Sequence, residues 1–267
     1  FAGVLGVLSA FFIMGFYPVV GGWSIAYIFK SFSGLLASPD GIADAFGAFM
    51  GGSIEPLIWM AIYLVINVVI VARGVQAGIE LAGKVLMPIL YVLLILVTIK
   101  GLTIPGAGAG LAFLFKPDWS VVTGGTFLAA LGQAFFSLSL GMGCMMTYGS
   151  YLNKEEKLPN NALIVVGLDT SVALLAGLAM FPALFAFGLE PSQGPGLVFV
   201  VVPQIFAHMG GTVGMIFSAI FFVALFVAAL TSSVSLLEVV VAYLIDQRNV
   251  DRKVATYGTA VIMLITC

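Results

Sequence analysis

Charged side chains are scarce in this chain: Asp, Glu, Lys and Arg make up 8% of its 267 residues, against about 25% in an ordinary soluble domain. A water-soluble protein of this size could not cover its surface with so few charges. The ten Lys and Arg residues are scattered and the net charge is −2, so no basic patch is available for nucleic-acid phosphates. With 61% hydrophobic residues, the composition excludes a soluble enzyme, a nucleic-acid-binding protein and a disordered protein.

Cysteine and histidine are almost missing. The two cysteines, Cys144 and Cys267, lie in apolar runs, so the sequence contains neither a disulfide framework nor a cysteine metal site. His208 is the only histidine, and we interpret it as an ordinary loop residue. Because no other histidine is available to activate a serine within the membrane, and nothing else suggests covalent chemistry, we predict that the protein is not an enzyme.

Long apolar runs are what the chain has instead. About 20 apolar residues in a helix cross the ~30 Å hydrocarbon core of a bilayer, and strand-like alternation is absent from the sequence. The pattern therefore predicts an all-α membrane protein, a polytopic helical bundle in the lipid bilayer. The predicted spans are 2–29, 56–72, 77–99, an interrupted run at 121–152, 162–188, 211–245 and a run that begins at 254.

Basic residues indicate the orientation of these spans. Seven of them lie in or near the even-numbered connectors and three in or near the others, and the positive-inside rule then places the even-numbered connectors in the cytoplasm. The connector 191–209 is therefore predicted to be extracellular, with a run at 197–207 that is too short to span and suits a re-entrant segment or a lid. Because the chain begins and stops inside apolar runs, we expect residues 1–267 to be one transmembrane domain, truncated at both ends.

The interrupted run combines serine with glycine. Ser137 and Ser139 are followed by Gly141 and Gly143, and such a stretch leaves helical geometry at low steric cost. Irregular backbone at membrane depth is tolerated only inside protein or against a water-filled cavity, where its N–H groups, carbonyls and hydroxyls suit a carboxylate and a sodium ion. The same residues also suit close helix packing, so the spacing alone leaves both interpretations open.

Two acids and a cluster of hydroxyls lie deep in later runs. Asp169 is about seven residues inside its span, where an uncompensated carboxylate costs about 2.5–3.5 kcal/mol; a bound cation would compensate it, and a protonated or interfacial carboxyl is the alternative. Thr231 to Ser235 supply hard oxygen ligands that suit sodium or hydrogen bonds between helices. Glu238, in the same span, either binds an ion or faces a polar interior.

Two further features are more ambiguous. Ile13 and Tyr17 are four residues apart and share a helix face, and Tyr17 lies too deep for the interfacial aromatic belt. Gly78 and Pro88 mark a helix that unwinds in its cytoplasmic half or, alternatively, one with a static proline kink.

The chain resembles the neurotransmitter:sodium symporters (solute carrier family 6), and within them the bacterial transporters of multiple hydrophobic amino acids. The resemblance covers essentially the whole chain. It is carried by the run 132–143 with Thr147 and Tyr148, by 229–233, by Tyr17 with Trp23, and by the loop 194–206. It implies an inverted-repeat symporter architecture with one discontinuous helix, in which this chain corresponds to helices three to eight and the start of helix nine.

By matching positions, the resemblance implies a substrate site and two sodium sites. Tyr17 would hydrogen-bond the substrate carboxylate, and the side-chain pocket would be lined by Ile13, Phe136, Ser139, Met142, Ser232 and Leu236. Phe136 would also act as a lid toward the outside. The first sodium would use Ser137 and Asp169, and the second would use the Ala228 carbonyl, Thr231 and Ser232. Gly78 and Pro88 match a family motif whose unwinding opens a water path to the second sodium.

Three positions depart from the commoner family pattern. Asp169 stands where many members have Asn, and Ala173 stands where chloride-dependent members have a chloride-binding Ser. A fixed negative charge can replace the anion that balances two sodium ions, so we predict chloride-independent transport. Met142 replaces a common aromatic residue and, as a flexible side chain, predicts an apolar pocket that accepts both aliphatic and aromatic amino acids.

The resulting functional prediction is sodium-coupled symport of hydrophobic amino acids by alternating access, in a multi-pass protein of the cell membrane. Two alternatives remain at this point. One is proton coupling through Asp169 or Glu238, and the other is a sodium-dependent amino-acid sensor on the same fold.

Overall fold

The computed structural model describes residues 1–191 and 194–267; Ser192 and Gln193, in the predicted extracellular connector, lie outside the described residues. Within these ranges the chain is helical and has no strand, which confirms the predicted fold class. The first six helices are α1 (Ala2–Met14), α2 (Tyr17–Lys30), α3 (Ile42–Gly51), α4 (Glu55–Ala72), α5 (Leu81–Leu102) and α6 (Gly108–Phe115). The next six are α7 (Gly124–Ser137), α8 (Cys144–Ser150), α9 (Leu158–Ala186), α10 (Val202–Met209), α11 (Gly211–Arg248) and α12 (Arg252–Thr266).

Several helical segments are long enough to span a membrane. Among the described residues, five helical segments are long and apolar enough to cross a bilayer, and they are Ala2–Lys30, Glu55–Ala72, Val75–Leu102, Leu158–Ala186 and Gly211–Arg248. They coincide with predicted spans, and the chain is a multi-pass membrane protein. The predicted interrupted span is divided between α7 and α8.

The first predicted span, 2–29, is not one continuous α-helix. It is interrupted between Met14 and Tyr17. Pro18 explains the break, because it has no N–H to donate to the carbonyl one turn earlier and its ring clashes with that carbonyl. The chain resumes as α2 with Pro18 in the first turn, where a proline is tolerated.

The third span begins with a widened turn. Residues Val75–Glu80 form a π-helical segment that continues into α5. Gly78 makes this packing possible, since a Cβ atom on it would lie 2.0 Å from the carbonyl oxygen of Ile70 in α4. Pro88 lies inside α5 without ending it.

Helix α11 forms the centre of the core. Its buried side chains Leu230, Val234 and Leu237 share one cluster with residues of α1, α4 and α12. A second cluster joins α2, α3, α11 and the segment 197–206 through aromatic rings, with Tyr27 and Phe222 5.0 Å apart between ring centroids. Helix α7, by contrast, has no buried residue among the residues that the structure describes.

The connector predicted at 191–209 is largely helical where the structure describes it. A π-helical turn, Leu197–Val201, runs directly into α10. The prediction that His208 is an ordinary loop residue was wrong: it lies in the last turn of α10, with Nδ1 2.8 Å from the Gln204 carbonyl oxygen and its ring stacked on Phe187. The short apolar run was correctly expected not to span, since its helix covers only residues 197–209.

Candidate functional site

The discontinuous helix ends its first half with a defined backbone motif. The Leu140 N–H donates to the Phe135 carbonyl (3.0 Å) and the Ser139 N–H donates to the Phe136 carbonyl (3.1 Å). This pair of bonds is a Schellman motif, which requires a left-handed residue at the position that Ser139 occupies. Ser139 has φ 55°, so a serine takes a conformation that normally favours glycine.

The break opens onto a cavity of about 250 Å³. Its lining combines one carboxylate, several hydroxyls, an amide, and aliphatic and aromatic groups. The lining residues are Ile13, Tyr17, Gln133, Phe136, Ser137, Ser139, Met142, Asp169, Ser232 and Leu236. All seven residues predicted to contact substrate line this one cavity, together with Ser137 and Asp169 from the predicted first sodium site.

Ser137 and Asp169 are in direct contact. The Ser137 hydroxyl donates to Asp169 Oδ1 at 2.6 Å, which joins α7 to α9. Within the described part of the chain, Asp169 makes no ion pair with Lys, Arg or His. The pair therefore presents hydroxyl and carboxylate oxygens, which are hard ligands, with a negative charge that no side-chain cation neutralises.

Two breaks in helices explain why residues that a regular helix would separate line the same cavity. In a regular helix Ser137 and Ser139 would point about 200° apart, but the left-handed turn at Ser139 lets both line the cavity. Ile13 and Tyr17 were predicted to share a face of one helix. They meet at the cavity from the two sides of the α1–α2 break instead.

The residues predicted for the second sodium lie on α11. Thr231 Oγ1 lies 3.0 Å from the Ala228 carbonyl oxygen and donates to it. Ser232, the next residue, lines the 250 Å³ cavity, whereas Thr231 lines a different cavity of about 230 Å³, between α11 and the segment that begins with the π-helical turn. The structure thus brings Ala228 and Thr231 together and turns the Ser232 side chain toward the predicted substrate residues.

Glu238 is not part of either cavity. It is buried and ion-paired with Arg252, and it also accepts a hydrogen bond of 2.6 Å from the Tyr151 hydroxyl. Arg252 Nε donates to the Val71 carbonyl at 2.9 Å, so the pair ties α4, α11 and the residue that follows α8 to the start of α12. Of the two interpretations, ion binding or a polar interior, the structure supports the polar interior.

Gln133 is a lining residue that the sequence analysis did not select. It lies one helical turn before Ser137, and residues four apart share a helix face. Its position relative to Ser137 was therefore a usable signal. Its side-chain amide adds both a donor and an acceptor to the lining of the cavity.

The chain matches the model of the sodium:neurotransmitter symporter family over residues 50–267. It is similar to a sodium-dependent transporter of Haemophilus influenzae, with 40% identity across 99% of this chain and 58% of the relative. It is also similar to the sodium-dependent transporter YhdH of Bacillus subtilis, with 39% identity across 98% of this chain and 58% of the relative. The chain thus spans under two thirds of the length of these relatives.

A solved structure shows the same fold. The crystal structure of MhsT in complex with L-phenylalanine matches this chain with a TM-score of 0.89 and 48% sequence identity, over 99% of this chain and 60% of that one. A likeness of this extent shows that the two chains share one fold.

Proposed function

Since the chain belongs to the sodium:neurotransmitter symporter family, we propose that its protein carries out sodium-coupled, chloride-independent symport of hydrophobic amino acids by alternating access. The observation that supports this most is the cavity in which Ser137 and Asp169 meet the apolar side chains of Ile13, Met142 and Leu236. The lining combines a carboxylate with apolar side chains, as an amino acid with a hydrophobic side chain requires.

The polarity of the cavity favours a substrate with an uncharged side chain. Asp169 is the one charged residue among its lining side chains, so a lysine or glutamate side chain would lose its hydration without gaining a dedicated partner. Tyr17, which lines the cavity, would donate a hydrogen bond to the substrate carboxylate, and the relative crystallised with L-phenylalanine supports an aromatic or aliphatic side chain.

Sodium is the ion that we propose to be co-transported. Ser137 and Asp169 would bind one ion beside the substrate carboxylate, and the Ala228 carbonyl with Thr231 and Ser232 would bind a second. Contact between the first ion and the substrate makes the affinity for each depend on the other. The Asp169 charge takes the place of a chloride ion, because it already offsets one of the two positive charges.

Uptake of labelled phenylalanine by the full-length protein in proteoliposomes tests this proposal. We expect an inward sodium gradient to drive uptake, with little change when gluconate replaces chloride. Asp169→Asn should abolish chloride-independent uptake, while Asp118→Asn, which alters an exposed connector acid, serves as the charge-matched control and should leave uptake unchanged.

Three results would contradict the proposal. Uptake driven by a pH gradient without sodium would indicate proton coupling. Sodium-dependent binding without concentrative uptake or counterflow would indicate a sensor. Equal competition by glutamate, lysine and leucine would contradict the proposed substrate pocket.

A further inference from the structure

Three consecutive hydroxyl residues on α11 point in three directions. Successive residues of an α-helix are rotated by about 100° about its axis, so the three side chains face different surroundings. Thr231 lines the 230 Å³ cavity, Ser232 lines the 250 Å³ cavity, and Ser233 is fully buried against α4. Because all three belong to one continuous helix, the direction of any one of them fixes the directions of the other two.

Ser233 is held in a closed hydrogen-bond network. Its hydroxyl donates to Asn67 Oδ1 at 2.6 Å, and the Tyr63 hydroxyl lies 2.7 Å from Ser233 Oγ. Since the single hydrogen of Ser233 is directed to Asn67, Tyr63 is the donor in the second bond. The Asn67 amide in turn donates to the Tyr63 carbonyl at 2.9 Å, and all three residues are 0% exposed.

The same tyrosine also sets the distance between α4 and α2. A Cβ atom on Gly21 would lie 2.3 Å from Cζ of Tyr63, so the ring packs directly on the α2 backbone. Gly21 is one helical turn after Tyr17, the residue proposed to bind the substrate carboxylate. One buried side chain therefore positions α2 and α11 relative to each other.

We propose that Tyr63, Asn67 and Ser233 form a rotational lock on α11, and that Tyr63 is a positioning residue for the sodium ion bound by Thr231 and Ser232. The inference rests on the proposed sodium symport. An ion is held by oxygen atoms at fixed distances, and the two hydroxyls line different cavities, so the rotation of α11 decides whether one ion can reach both. The lock therefore sets sodium affinity without contacting sodium.

The test is the sodium dependence of labelled phenylalanine binding to the full-length purified protein. Tyr63→Phe removes only the donor hydroxyl, and Ser233→Ala removes the group that it binds. We expect each to raise the half-saturating sodium concentration about three- to tenfold, the equivalent of one hydrogen bond. The double variant should match the larger single effect, since both changes break one network.

Tyr27→Phe is the matched control. Tyr27 is also buried in α2, but among the described residues its hydroxyl has no hydrogen-bond partner. Its removal should leave the sodium curve unchanged.

The outcomes separate this inference from the proposed function. If the unmodified protein binds phenylalanine without sodium, the proposed function fails. If it binds with sodium, while Tyr63→Phe and Ser233→Ala lower the melting temperature and leave the sodium half-saturation unchanged, the network is merely structural and the lock is refuted. If Tyr63→Phe does not fold, the sodium half-saturation of Ser233→Ala alone tests the lock: an unchanged value refutes it.

Discussion

Replacing Ser139 by glycine and, in parallel, by alanine separates the backbone conformation of this residue from its hydroxyl group. Ser139 has φ 55° and ends the first half of the discontinuous helix. Both replacements remove the hydroxyl that lines the cavity. Only glycine removes the steric conflict of a left-handed conformation, which costs a residue with a Cβ atom about 1–2 kcal/mol.

The expected difference in stability between the two variants follows from two opposing effects. Glycine relieves the left-handed conformation but loses about 0.5–1 kcal/mol more than alanine through its greater freedom in the unfolded chain. The difference of the two effects leaves Ser139→Gly more stable than Ser139→Ala by about 0.8 kcal/mol. That difference corresponds to a melting temperature higher by about 1–3 °C.

The assay is thermal unfolding of the full-length protein in detergent, combined with labelled phenylalanine binding at saturating sodium. Both variants should lose a similar amount of affinity, about three- to tenfold, because both lack the same hydrogen-bonding group. Equal stability of the two variants would refute the left-handed assignment. Unchanged affinity in both would show that the Ser139 hydroxyl does not contact the substrate.

Two further predictions concern packing and charge. Gly78→Ala places a Cβ atom 2.0 Å from a carbonyl oxygen of α4 and should destabilise the protein by about 1–3 kcal/mol. Gly83→Ala, where a Cβ atom would meet nothing within 4 Å among the described residues, should stabilise α5 by about 0.5–1 kcal/mol. Thermal unfolding checks that the two changes shift the melting temperature in opposite directions. Glu238→Gln leaves Arg252 without its partner and should cost about 3 kcal/mol, whereas Glu80→Gln, in an exposed pair, should cost less than about 1 kcal/mol; equal melting temperatures would contradict the structural role of the buried pair.

The spans and the main break were predictable because their causes are local. Hydropathy over about 20 residues is enough to identify a spanning helix, and Gly141 with Gly143 marked the interruption of the fourth run. The break between α1 and α2 was missed although Pro18 was visible, since the surrounding run of apolar residues was interpreted as continuous. Pro18 was the signal. It lies four residues after Met14, so the helical hydrogen bond to the Met14 carbonyl cannot form and the helix is interrupted there.

Contacts between distant residues were not predictable from spacing. Ser137 and Asp169 are 32 residues apart, and their depth in two separate runs does not define which faces meet. Only the resemblance to a known family paired them. The same holds for Tyr63, Asn67 and Ser233, because a polar residue in an apolar run indicates a buried partner but does not identify it.

The cavity combines two kinds of helix that supply different chemical groups. Helix α11 is continuous over 38 residues, so its backbone N–H and carbonyl groups are largely used within the helix and it offers mainly side-chain oxygens, as at Ser232. The α7–α8 break leaves backbone groups without intrahelical partners, next to Ser137 and Ser139. The cavity is thus offered side-chain oxygens by α11 and backbone groups by the α7–α8 break, and an ion and a substrate can use both.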